Sequence, residues 1–134
     1  MRKLNVVELY AGIGRCSAPF RGWRRARIGL LADWNPHAVQ TYRHNFSKTP
    51  YMVSDLSTAT VAELESEANG QIDIVLGCPP CQGFSDSGRR NPADPRNSHV
   101  MNFVRLAVGA RPFAIAMENV PMAAISPQFR AATA

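Results

Sequence analysis

Short apolar runs alternate with amphipathic stretches along the whole chain. Leu4-Asn-Val-Val-Glu-Leu-Tyr10, Ile28 to Ala32, Tyr51 to Val53, Ile72 to Leu76 and Phe113 to Met117 are each nearly continuous in apolar character. Runs this short and this rich in β-branched residues fit strands buried on both faces of a parallel sheet. Helices are predicted between them. Cys16 to Ala26 is a helical stretch, and Asn35-Pro36 starts a helix to about Asn45, with a capping side chain followed by proline in the first turn. Thr60-Val-Ala-Glu63 is a capping box opening a helix to about Ala68 that Asn69-Gly70 closes. Asn97 or Ser98 caps a helix through roughly Ala107, and Gly109 helps to end it. The order βαβαβαβαβ implies an α/β fold, a doubly wound parallel sheet with right-handed crossovers.

Open sheets of this kind carry their sites where strands end at their carboxyl termini. After the first strand come Ala11-Gly-Ile-Gly14, a tight turn whose glycines let the backbone pass close to a ligand. The second strand ends in Asp33-Trp34, about twenty residues past the glycines, where a carboxylate either grips a ribose hydroxyl pair or simply begins a turn. The third runs into Ser54-Asp55-Leu56 and the fifth into Glu118-Asn119-Val120. Tyr10, Gly12, Asp33, Asp55, Cys81 and Glu118 therefore fall on one rim.

The fourth strand leads into Gly77-Cys-Pro-Pro-Cys-Gln-Gly-Phe-Ser-Asp-Ser-Gly88. Pro79 and Pro80 fix two φ angles and remove two donors just before Cys81, presenting its thiol on a stiffened turn. Cys81 reads as a nucleophile. A small buried cysteine, as for Cys16 and Cys78, is the alternative, and Cys78-Pro-Pro-Cys81 also has the spacing of a dithiol or a zinc half-site. Zinc needs two further ligands, and His37, His44 and His99 are scattered without paired spacing. A redox dithiol normally opens a helix, which Gln82-Gly-Phe-Ser-Asp-Ser does not suit. Ser85, Ser87, Arg89, Arg90 and Arg96 supply hydroxyls and cations suited to phosphate oxygens.

Composition narrows the class. At 134 residues, 46% hydrophobic and 19% charged, the chain is one globular domain. It has no run of about 18 apolar residues, and its basic start leads into a strand pattern rather than a signal-peptide core. No membrane partner and a cytoplasmic location are expected. Three cysteines do not make a disulfide framework. The net charge of +5 and pI near 9.6 rest on fifteen cations, thirteen of them arginine, whose fork suits phosphate, so nucleic acid is a reasonable partner. The cluster Arg15 to Arg27, by contrast, reads first as a solvated face.

Assembled in this order, the motifs resemble those of the cytosine-C5 methyltransferases over nearly the whole chain. Tyr10-Ala11-Gly12-Ile13-Gly14 is similar to the family's cofactor loop, with Tyr10 in place of the usual phenylalanine and Arg15 where a second glycine is common. Asp33-Trp34 resembles the ribose-and-adenine motif, Asp55-Leu56 the adenine clamp, Pro80-Cys81-Gln82 the catalytic loop and Glu118-Asn119-Val120 the base-recognition motif.

The resemblance implies a Rossmann-like fold and S-adenosyl-L-methionine as cofactor, with no metal. It implies addition of Cys81 to carbon 6 of a cytosine flipped out of double-stranded DNA, Glu118 at ring nitrogen 3, and Pro80 and Asn119 as support. Gln82, Ser85, Ser87 and Arg89 would close over the nucleotide. A transfer-RNA cytosine methyltransferase shares these parts and is the alternative substrate class, and a non-catalytic module that binds cofactor or a partner is another. Family members run on through a Gln-x-Arg-x-Arg segment, a target-recognition region and a terminal helix. Residues 1–134 are accordingly expected to be a partial catalytic domain, cut after the fifth strand with an open sheet edge, whose remainder a complementary polypeptide could supply.

Overall fold

The structure is a computed structural model that describes residues 2–81 and 94–133. Five parallel strands form one sheet: β1 (Leu4–Leu9), β2 (Ala26–Asp33), β3 (Tyr51–Val53), β4 (Ile74–Gly77) and β5 (Ala114–Met117), in the spatial order β3-β2-β1-β4-β5. The helices are α1 (Ala38–Asn45), α2 (Val61–Glu67), α3 (Ser98–Gly109), α4 (Pro121–Ala124) and α5 (Pro127–Thr133). The strand order reverses between β1 and β4, which creates the crevice in which doubly wound sheets place their ligands.

Both faces of the central strands are covered, as their unbroken apolar runs require. On one face Val7, Leu9, Leu30 and Val75 pack against Leu64 of α2 and Phe103 and Leu106 of α3. On the other, Leu31 packs with Tyr42 of α1 and Phe46, while Val6 and Leu76 meet the connection between β1 and β2. The α2 helix starts as its sequence dictates: Thr60 Oγ1 accepts the Glu63 N–H at 3.2 Å, and Glu63 Oε2 accepts the Thr60 N–H at 2.7 Å. Below β1 and β4, Asp73 is fully buried and takes the Arg2 fork at 2.6 and 2.8 Å and the Asn5 N–H at 2.7 Å. The Arg2 hydrogen bonds hold its carboxyl below the usual carboxylate range.

Three features depart from the pattern. The helix expected over Cys16 to Ala26 is absent, and a single 3₁₀ turn, Ala18–Phe20, sits among turns. Pro19 has no N–H to donate, and Gly22, at φ 75°, turns the chain out of helical geometry three residues later. The second strand begins at Ala26, the fourth at Ile74 and the fifth at Ala114; just before β4, Asp73 donates its N–H to the Asn5 carbonyl at 2.9 Å and its carbonyl accepts the Phe113 N–H at 2.8 Å. Finally, β5 is largely exposed despite its apolar sequence. It pairs with β4 only among the described residues, and Phe113, 79% exposed, and Ile115 stand in solvent beside it.

Candidate active site

The rim predicted from the strand ends is present. β1 leaves the sheet through Tyr10, which has a φ of 55°, a left-handed conformation that costs a non-glycine residue about 1–2 kcal/mol. Its hydroxyl lies 3.2 Å from His99 Nδ1, and the two rings meet edge to face at 5.5 Å. The following turn is built for glycine at Gly14: φ is 83°, and a Cβ there would stand 2.7 Å from the Phe46 ring and 2.8 Å from Leu31. Ile13 is exposed and Ala11 buried beneath it.

The turn is held from three directions. Asp33, 7% exposed at the end of β2, accepts the Gly12 N–H at 2.8 Å and the Asn35 N–H at 2.9 Å. Its carboxylate thus begins a turn and pins the glycine loop together. The Tyr51 hydroxyl donates to the Gly12 carbonyl at 3.3 Å. Glu8, buried within β1, accepts the Cys16 and Ser17 N–H groups at 3.1 and 2.8 Å, and burial raises its pKa despite those donors.

Tyr10, Trp34, Ser54, Asp55, Leu56 and His99 enclose a cavity of about 240 Å³. This unites four residues singled out in the sequence with two, Ser54 and His99, that were not. In the sequence His99 has no histidine or cysteine at paired spacing. Its position in the first turn of α3, opposite the end of β1, is visible only once the topology is known. Trp34 is 70% exposed, an indole face available to a flat ring. Asp55 is exposed and accepts the Ser57 N–H at 2.9 Å, which lowers its pKa. An aromatic and aliphatic slot with a carboxylate at its mouth fits an adenosine group. Gly12 agrees with that fit, since a Cβ built there meets nothing within 4 Å.

The second half of the rim lies across the switch point. Gly77 is paired with Met117, so Cys78 and Glu118 leave adjacent strands side by side. The Cys78 thiol donates to Glu118 Oε2 at 2.7 Å. Desolvation, then this carboxylate, pushes that thiol up to about 12, although Cys78 keeps an exposed side. Cys78 is therefore a protonated donor to Glu118, a role its spacing did not indicate. Asn119 Nδ2 donates to the Pro79 carbonyl at 3.0 Å, tying the end of β5 to the loop that carries Pro80 and Cys81. Cys81 is partly exposed and its thiol is free of disulfide. Gln82, Ser85, Ser87 and Arg89 lie outside the described residues. Among the described residues no group of three or more histidine, cysteine or acidic side chains could hold a metal ion, and no helix is long and apolar enough to cross a membrane.

A parallel sheet in this order, with a glycine turn after β1 and polar groups closing β2 to β5, is the Rossmann-like architecture of S-adenosylmethionine-dependent methyltransferases. Within it, the chain belongs to the C-5 cytosine-specific DNA methylase family, whose model matches residues 4–130. It is 36% identical over 117 residues to the Type II methyltransferase M.DdeI of Desulfomicrobium norvegicum, spanning 87% of this chain and 28% of that protein. It is 30% identical over 124 residues to M.HgiGI of Herpetosiphon aurantiacus, spanning 92% of this chain and 95% of that protein. Among solved structures it resembles a prophage-encoded DNA modification methyltransferase of E. coli, with a TM-score of 0.76 and 29% identity over 98% of this chain and 36% of that one. The chain thus spans less than a third of M.DdeI.

Proposed function

We propose that this chain contributes to methyl transfer from S-adenosyl-L-methionine to carbon 5 of cytosine in DNA. The observation that carries the reading is the β4–β5 pairing, which brings the Cys81 loop and Glu118 out of the sheet together, with Asn119 bonded to Pro79 between them. When bound, the cofactor supplies an electrophilic methyl group. Tyr10, Trp34, Leu56 and Asp55 line the cavity that would hold its adenosine group, and the Gly12 turn, which follows Tyr10, would border it.

Carbon 5 of cytosine is too poor a nucleophile to take that methyl unaided. The Cys81 thiolate adds to carbon 6, forming a C–S bond and making carbon 5 an enamine carbon. Glu118, protonated or sharing a proton, donates to ring nitrogen 3 and neutralises the charge that develops there, while the Cys78 thiol donates to its Oε2. After methylation, loss of the carbon-5 proton and breakage of the C–S bond restore the ring and free Cys81. A base stacked in a duplex cannot reach this rim, so the cytosine is flipped out.

The test uses labelled cofactor with duplex DNA and with transfer RNA. It is run with the 134-residue chain alone and with a polypeptide matching the remainder of a longer relative. Methyl incorporation into DNA is expected when the complementing polypeptide is present. Cys81→Ser abolishes it, together with covalent trapping by 5-fluorocytosine DNA; undiminished trapping in that variant refutes the assignment.

A further inference from the structure

Among the described residues, a basic surface lies away from this rim. Residues 9–54 carry Arg15, Arg21, Arg24, Arg25, Arg27, Arg43 and Lys48 against a single carboxylate, Asp33. Asp33 is at the carboxyl end of β2, whereas several of the cations gather at its amino end. There a groove of about 610 Å³ runs between Lys3 before β1, the Phe20 to Arg24 turn, the start of β2, and the Phe46 to Pro50 connection before β3. The eight residues of β2 separate it from the candidate active site by about 20–25 Å.

Five cations line this groove and no carboxylate does. Arg27 is committed, since it donates to the Ala68 and Asn69 carbonyls at 2.9 and 3.1 Å, and Arg21 lies 5.4 Å from the Phe46 ring centre. Lys3, Arg24 and Lys48 are exposed, and the ion pairs among the described residues are Arg2 with Asp73 and Arg96 with Asp94. Like charges gathered in a concavity without counter-charge create a field that draws polyanions.

Charge alone is what any solvated basic face shows. The aromatic residues distinguish this one. Phe20 and Trp23 stand 5.6 Å apart in tilted contact, and Trp23 is 46% exposed on the wall of the groove, within the same turn as Arg24. An open indole beside cations is how proteins hold unpaired bases: the backbone follows the charges and bases stack on the ring, in any sequence. A duplex offers its phosphates but keeps its base faces inside the stack, so the indole would gain nothing from it. We infer that this groove binds single-stranded nucleic acid, at a site separate from the methyl-transfer rim.

The experiment is fluorescence anisotropy with a labelled ten-nucleotide oligothymidine and, in parallel, a ten-base-pair duplex, between 50 and 200 mM KCl. Neutralising about four phosphates with Lys3, Arg21, Arg24 and Lys48 gives a salt slope near −3, so the oligothymidine Kd weakens by about fifty-fold across that range. Arg24→Glu with Lys48→Glu weakens it at least tenfold and roughly halves the slope. Trp23→Ala weakens oligothymidine by about ten-fold, as loss of one stacking partner does, and leaves the duplex unchanged. Thermal melting confirms that each variant is folded. Independently of substitutions at the groove, in a Trp34→Phe background the single strand quenches the remaining Trp23 emission. Binding indifferent to the charge reversals, a preference for duplex unaffected by Trp23→Ala, or unchanged Trp23 emission at saturation overturns the inference. Cys81→Ser leaves single-strand binding intact, so failure here and failure of the methyl-transfer reading are separate results.

Discussion

Asp33→Asn separates a residue that pins a loop from one that only touches a ligand. The two carboxylate oxygens serve different backbone donors, Gly12 N–H at 2.8 Å and Asn35 N–H at 2.9 Å. Asparagine keeps the volume but presents one oxygen and one NH₂ group, so one of those N–H groups must face another donor. A hydrogen bond to a charged group is worth about 1.5–3 kcal/mol. Water can reach both partly buried turns, which favours the lower part of that range, or about 2 kcal/mol. For a domain of this size, 1 kcal/mol moves Tm by roughly 3–5 °C, giving an expected fall of about 6–10 °C. Circular dichroism melting at pH 7 measures that, and titration calorimetry with S-adenosylmethionine measures the second consequence. Gly12 and Tyr10 share one turn, so a loosened loop lowers cofactor affinity by about ten-fold, equivalent to about 1.4 kcal/mol. A variant that melts within about 2 °C of the parent while losing affinity would show that Asp33 acts on the ligand alone, against the pinning role.

Gly14→Ala combines a left-handed φ of 83° with a Cβ 2.7 Å from Phe46, and is expected to destabilise by about 2–4 kcal/mol, read as a urea midpoint shift. Cys78, with its thiol pushed up to about 12, is almost wholly protonated at pH 8, so iodoacetamide labels it roughly a thousand-fold more slowly than a model thiol. Glu118→Gln accelerates that labelling, and peptide mass spectrometry follows both rates. Asp73 is held below the usual carboxylate range in the folded chain, so its pairing stabilises at neutral pH and is lost as pH falls through that lowered pKa. Arg2→Ala therefore lowers stability at pH 7 and narrows the loss of stability on acidification, measured as Tm against pH.

The five strands were legible because parallel strands buried on both faces must be apolar throughout, and Thr60 and Glu63 announced α2 through side chains adjacent in sequence. The neighbourhood of β4 and β5 followed from connection order, and with it the common exit of the Cys81 loop and Glu118. Cys16 to Ala26 misled because its arginines and apolar residues mimic a helical stripe, while Pro19 and Gly22 act through backbone geometry that periodicity does not weigh. Cys78 was hidden for another reason. Its bond to Glu118 depends on register, Gly77 opposite Met117, and a slip of one residue would have removed it. His99 and the basic groove are assemblies of segments far apart in the chain, which no local pattern reports.

The outer side of β5, unpaired among the described residues, also governs how this polypeptide behaves in bulk. Its backbone donors and acceptors, flanked by Phe113 and Ile115, form a ready template for another extended segment. Concentrated preparations should therefore turn cloudy in a time- and concentration-dependent manner, and a lysine in place of Ile115 should keep them clear.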